Sequence, residues 1–347
     1  TATLSSMTAI TKTYGDPTFN LAVPTSVATG AVTFASSDTN VATISGTTVT
    51  IVGAGTATIT ATQATDANYL EATTTFVLTV NKITPTLGLM TAISKTFGDT
   101  NFTITSPSTN SSGRFTYTSS DTNVATITGD VVTIVGGGTA SIAVAQATDS
   151  NYLAATTSVS LTVSKAPVIF GATTAITKNY GDADFIVTPP QTNSTGTFTY
   201  TSNNPSIATI NGDLLTIHGI GTTTITVNQA TTTNYLSGST TISLVVNKTL
   251  PTLGSLVAIT KTFGDSNFNL TAPTSPSTGA FSYTSSDSNI VSINGNVVTV
   301  VGVGTATITA SQSGDNNYDP ASVSTTITVN KAVATLSTMN AVTKNFG

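Results

Sequence analysis

The residues that could carry chemistry in this chain return at a fixed interval of 83 positions. Asp16, Asp99, Asp182 and Asp265 each follow a Tyr-Gly or Phe-Gly pair. A second acidic set, Asp38, Asp121 and Asp287, has Asn204 in its third place; a third set, Asp66, Asp149 and Asp315, has Thr232 there. Calcium collects roughly six to eight oxygen ligands, several of them carboxylates. Here the acids stand singly rather than in alternating runs, and the third copy lacks two of its three. Aspartates that bond nearby backbone amides to close turns explain the pattern without a metal. The sequence favours turns and no cofactor, with Asp16, Asp99, Asp182 and Asp265 the residues a calcium ion would use.

Lysines form the other recurrent set. Lys12, Lys95, Lys178, Lys261 and Lys344 precede the Gly-Asp turn, and Lys82, Lys165, Lys248 and Lys331 close each copy. Pairing of Lys12 or Lys82 with Asp16 would fix the angle of a join, at only about 0–1 kcal/mol if exposed. An isopeptide bond from such a lysine to Asn68, Asn151, Asn234 or Asn317 would need a buried amine beside an acid, and the third copy has lost its loop acid. Tyr69, Tyr152, Tyr235 and Tyr318 each follow one of these asparagines. They could form an aromatic row for a sugar or partner; the reading preferred here is that each ring caps its own core and its hydroxyl finds a backbone partner.

Catalysis does not recur. His218 is the single histidine, and valines occupy its place in the other copies (Val52, Val135, Val301). A nucleophile–base–acid constellation therefore cannot be common to the copies. The glycines at Gly53 and Gly55 open into a strand pattern, whereas a phosphate cradle opens into a helix. They are expected to ease a sharp turn. The chain reads as non-catalytic.

The elements that must position these residues follow from the same period. GAGTATITATQ begins at Gly53 and returns in close variants at Gly136, Gly219 and Gly302. A period this long marks a row of similar units, each large enough to bury its own core. The boundaries read as 1–82, 83–165, 166–248 and 249–331, with 332–347 the start of a fifth unit. Both ends, Thr1 and Gly347, read as lying inside a longer polypeptide. Within a unit the alternation is that of strands. Leu4, Met7 and Ile10 mark a first edge strand. Phe19, Leu21 and Val23 share a face before Pro24. Val32 pairs with Phe34, and a hairpin turns at Ser45-Gly46. Ala57, Ile59 and Ala61 point inward, as do Phe76, Leu78 and Val80. About seven strands with regular turn signals predict an all-β fold, a tandem array of immunoglobulin-like sandwiches. No Gly/Ser-rich spacer separates the units, so a stiff or semi-stiff rod is expected.

Composition narrows the partners. Only 7% of residues are charged and the net charge is −5. There is no clustered basic face for nucleic acid. Cysteine is absent, which removes disulfides and thiolate metal sites, and no apolar run approaches a helical membrane span.

The run Ser36–Gln63, SSDTNVATISGTTVTIVGAGTATITATQ, closing on FVLTVNK, resembles the bacterial immunoglobulin-like domains of invasin- and intimin-type adhesins and other large bacterial surface proteins. The resemblance covers the chain unit by unit. It implies a structural stalk or spacer in a surface adhesin or extracellular filament. The partners it implies are the neighbouring repeats, other copies in a filament, and a cell-surface or glycan ligand held by a tip outside this sequence. The same modules also occur in phage virions, so a tail-fibre or capsid-decoration role is the alternative.

Overall fold

The computed structural model describes residues 2–344; Thr1 and Asn345–Gly347, where the expectation about chain ends falls, lie outside the described residues. The chain divides into two compact units, Thr1–Pro167 with Thr231–Leu236, and Val168–Ala230 with Ser237–Gly347. Among the described residues there are only strands, in four sets of seven. The first set is β1 (Ile10–Thr13), β2 (Phe19–Asn20), β3 (Val32–Ser36), β4 (Ala42–Ser45), β5 (Thr48–Ile51), β6 (Gly55–Gln63) and β7 (Ala72–Asn81).

Each set makes a four-stranded and a three-stranded sheet. In the first repeat the orders are β1-β7-β6-β3 and β2-β5-β4, and the later repeats copy them. The long pair β6–β7 is antiparallel from Gly55 opposite Val80 to Gln63 opposite Ala72. This register sets Ala57, Ile59 and Ala61 of β6 and Phe76, Leu78 and Val80 of β7 into the core, where all six are buried. Threonine fills the opposite face, where a β-branched polar residue suits a solvated pleat. Burying each large apolar side chain contributes about 1.5–3 kcal/mol, and every repeat has a separate cluster of such residues. These are immunoglobulin-like sandwiches in tandem.

The hairpin at Ser45-Gly46 is present, with Ser45 opposite Thr48 and Gly46 at φ 62°. Only glycine adopts that left-handed conformation without cost. Two strand expectations are corrected. The opening segment is a strand only over Ile10–Thr13, and it runs parallel to β7 with Ile10 opposite Leu78. The chain before it bonds elsewhere: the Ser5 amide donates to the Thr25 carbonyl at 2.9 Å. The second strand spans only Phe19–Asn20. Leu21 is buried and its amide reaches the Thr47 carbonyl at 2.8 Å, but Val23 is exposed. Pro24, which has no amide to donate, is buried instead, so the alternation breaks before Val23.

Candidate functional site

The recurrent Gly-Asp turns are self-contained. Asp16 Oδ2 accepts the Thr13 amide at 2.9 Å, and Asp99, Asp182 and Asp265 accept the amides of Thr96, Asn179 and Thr262 at the same distance. No group of three or more acidic, histidine or cysteine side chains able to hold a metal occurs among the described residues. The lysine before each turn does not seek the aspartate. Lys12 Nζ stands 4.8 Å from the centroid of the Phe19 ring, and Lys95, Lys178 and Lys261 stand over Phe102, Phe185 and Phe268 at 4.6–4.9 Å. This corrects the expected pairing of Lys12 with Asp16. The aspartate is already used by the turn, and a cation over a ring face contributes about 0.5–1 kcal/mol at an exposed site. His218 Nε2 lies 2.7 Å from Thr209 Oγ1, with no recurring counterpart.

The third acidic set ties two loops of one repeat together. Asp66 Oδ1 accepts the amides of Asn68 and Tyr69, both at 2.9 Å, while Oδ2 accepts the Thr29 amide at 2.7 Å and its hydroxyl at 3.0 Å. These bonds, the Thr29 amide first, lower the Asp66 pKa to about 2. Asp149 and Asp315 make the equivalent bonds to Ser112 and Thr278, whose amides hold both carboxyls well below the usual carboxylate range. A hydrogen-bonded carboxylate favours its charged form.

Sequence reasoning missed a buried glutamine. Gln63, Gln146, Gln229 and Gln312 end the long inner strand and are at most 3% exposed. Gln146 Nε2 donates to the Ser111 carbonyl at 3.1 Å and the Gly113 carbonyl at 3.0 Å, pinning the loop that Asp149 also holds. The signal was present: glutamine continues the inward parity of Ile142 and Val144 and recurs in every copy.

These two ties present Asn151 and Tyr152 to the preceding repeat, within the first unit. Asn151 Oδ1 accepts the Ala54 amide at 2.8 Å. Gly53 lies directly beneath; a Cβ there would sit 2.6 Å from the Asn40 carbonyl oxygen and 3.2 Å from Asn151 Oδ1. The connecting residue Ile83 donates its amide to the Asn151 carbonyl at 3.1 Å and accepts the Leu153 amide at 2.9 Å. Lys82 Nζ donates to Thr148 Oγ1 at 3.2 Å and to the Asp149 carbonyl. The Tyr152 ring meets Tyr14 edge-on, with centroids 5.5 Å apart and planes at 80°.

The first unit holds a second set of these contacts at its loop 231–236. Asn234 Oδ1 accepts the Gly137 amide at 2.9 Å, Ala166 exchanges backbone bonds with Asn234 and Leu236, and Tyr235 meets Phe97 at 5.4 Å and 79°. In the second unit Lys248 Nζ donates to the Asp315 carbonyl at 2.6 Å, and Tyr318 meets Tyr180 at 5.5 Å and 86°. Tyr152, Tyr235 and Tyr318 therefore do not cap their own cores as expected. They close the join onto the aromatic of the Gly-Asp turn one repeat earlier, because the loop aims the ring outward. Of the asparagines weighed as isopeptide partners, Asn151, Asn234 and Asn317 use carboxamide or backbone oxygens as acceptors in these joins.

Residues 191–231 match the family model described as intimin, immunoglobulin-like domain. No curated protein matches the sequence. Among solved structures, Drosophila N-cadherin EC1-4 is 12% identical, with 94% of this chain and 99% of that chain covered at a TM-score of 0.28. The insect immune protein hemolin is also 12% identical, over 95% of this chain and 100% of that one, at 0.30. The surface layer protein SbsC, domains 1-6, is 16% identical over 96% of this chain and 55% of that one, at 0.24. Residues 191–231 are therefore similar to an intimin-type immunoglobulin-like domain.

Proposed function

We propose that this chain is a structural stalk of a bacterial surface adhesin or extracellular filament, in which the repeats supply length and the joins supply stiffness. One observation carries the reading. The chain passes from repeat to repeat without a free linker, and the connecting residue is itself bridged to the next loop, as Ile83 is to Tyr152. Side-chain contacts on both sides of that bridge, an amide to Asn151 and a ring to Tyr152, oppose bending and twisting alike. A spacer built for flexibility would instead use a solvated Gly/Ser linker. Contact with a cell-surface or glycan ligand falls to a tip outside these residues, and the match of residues 191–231 to an intimin domain supports the adhesin setting.

Immunogold electron microscopy with an antibody to one repeat tests this, applied to intact cells of the source and to particles released from them. Label along surface filaments or the outer envelope is expected. Label confined to phage particles would overturn the adhesin reading and make the repeats virion parts.

A further inference from the structure

The fourth repeat has an open groove along the seam between its two sheets. Strand Ile259–Thr262 pairs in one sheet and strand Phe268–Asn269 in the other, while residues 254–258 belong to neither. The seam is closed at one end, where the Gly254 amide donates to the Thr274 carbonyl at 2.8 Å. From there the groove runs along Leu256 to Lys261 on one side and along Leu270 to Phe268 on the other. It holds about 830 Å³, within the range of small-molecule sites. Equivalent grooves in the second and third repeats hold about 500 and 470 Å³. The third-repeat groove, with the fourth repeat following it, is lined by residues 172–191 and Ile242 of its own repeat. The groove is therefore a property of the repeat and not of its place in the array.

Two substitutions set the fourth groove apart. Thr325, half-buried, lines it from the inward place that Phe76, Val159 and Ile242 fill in the other repeats at no more than 5% exposure. Val257, 83% exposed, lines it where Thr8, Thr91 and Thr174 stand in the other repeats. A sequence serving the sandwich alone gains from the reverse arrangement, an apolar residue inside and threonine outside. The lining carries one charge, Lys261, and no acid; the Lys261 Nζ stands 4.6 Å from the centroid of the Phe268 ring. We propose that this groove binds an aliphatic carboxylate, with the chain over Leu256, Val257, Ile259 and Leu270 and the carboxylate on Lys261. An ammonium donates a charge-assisted hydrogen bond to a carboxylate, and the ring beneath holds the ammonium in place. Val257 and Lys261 are four residues apart, about 13 Å of extended chain, so a ligand of roughly ten carbons spans the groove. The site rests on the fourth repeat's own residues and is independent of the stalk reading.

Methyl NMR titration of the full chain with decanoate, beside decanol as the uncharged probe, tests this. Decanoate should saturate a single site and shift the methyls of Leu256, Val257, Ile259 and Leu270, while decanol should bind about ten-fold more weakly. Octanoate, with a shorter apolar chain to bury, should also bind about ten-fold more weakly. Thr325→Ile installs the side chain that Ile242 already has in the third repeat, so the fold should tolerate it. By filling the groove it should weaken decanoate roughly ten-fold or more. Lys261→Met should remove the preference for decanoate over decanol. The absence of saturable shifts overturns the proposal. Equal shifts at Ile176 and Ile242 overturn it too, since they would report a general affinity for open seams. Binding unchanged by Thr325→Ile or by Lys261→Met contradicts the assigned site.

Discussion

Loops 148–153 and 231–236 of the first unit close their joins in the same way while carrying different chemistry at one position. In the first, Asp149 Oδ1 accepts the Asn151 and Tyr152 amides, both at 2.8 Å. In the second, the Thr232 hydroxyl accepts the Asn234 and Tyr235 amides at 3.3 and 3.1 Å. The outputs barely differ: carboxamide to amide at 2.8 and 2.9 Å, ring to ring at 5.5 and 5.4 Å. One acceptor oxygen is therefore enough to shape the loop that presents asparagine and tyrosine. The second carboxylate oxygen has a separate task, accepting Ser112 and the Ser111 hydroxyl. Negative charge serves the tie between loops and not the join itself.

The comparison can be broken at the rings first. Tyr152→Ala and Tyr235→Ala should each cost their join about 1–3 kcal/mol, from lost edge-to-face contact and lost burial. Amide hydrogen exchange would show this as faster exchange at Leu153 and Leu236, which donate to Ile83 and Ala166. Unequal losses would mean the two loops are not equivalent. A smaller effect, about 1 kcal/mol, is expected for Asn151→Ala and Asn234→Ala. Each removes one acceptor, from the Ala54 amide and the Gly137 amide respectively, and those two amides should report it.

Acid should separate the loops. A carboxyl whose pKa is lower in the folded chain adds stability that is fully present above its unfolded value, here 3.8, and is lost as pH falls through the folded value. For Asp66 that window runs from 3.8 down to about 2. Protection factors in loop 148–153 should therefore fall below pH 4, while the hydroxyl of Thr232 gives loop 231–236 no such dependence. Asp149→Thr should abolish the acid sensitivity and keep the join; a variant that stays acid-sensitive would show that another group titrates. The smallest expected effect is that of a chelator. With Asp16, Asp99, Asp182 and Asp265 each bonded within a turn, EDTA should leave the melting temperature unchanged, and a drop of several degrees would make them metal ligands after all.

Much of the sandwich was legible because alternation along one strand is a local property. The inward set from Ala57 to Ala61 and the turn at Gly46 follow from neighbours in sequence. Where the sequence misled, a residue had a distant alternative. Lys12 had both Asp16 and Phe19 within reach, and its sequence position could not rank them. Tyr152 was read as a cap because its partner, Tyr14, lies in another repeat at a separation no local pattern encodes. Gln146 was overlooked because a polar residue in an inward place looks like the end of a strand, when it is the clamp for a loop 33 to 35 positions earlier.

The proposed stalk requires the join of the first two repeats to hold them at a fixed angle. Pulsed electron–electron spin resonance tests it directly in the full chain, with spin labels on Thr43→Cys and Thr126→Cys, exposed positions on equivalent strands of the first two repeats. A single narrow distance distribution is expected, broadening when Tyr152→Ala and Asn151→Ala are added. A distribution already broad before those substitutions, or unmoved by them, would contradict the account.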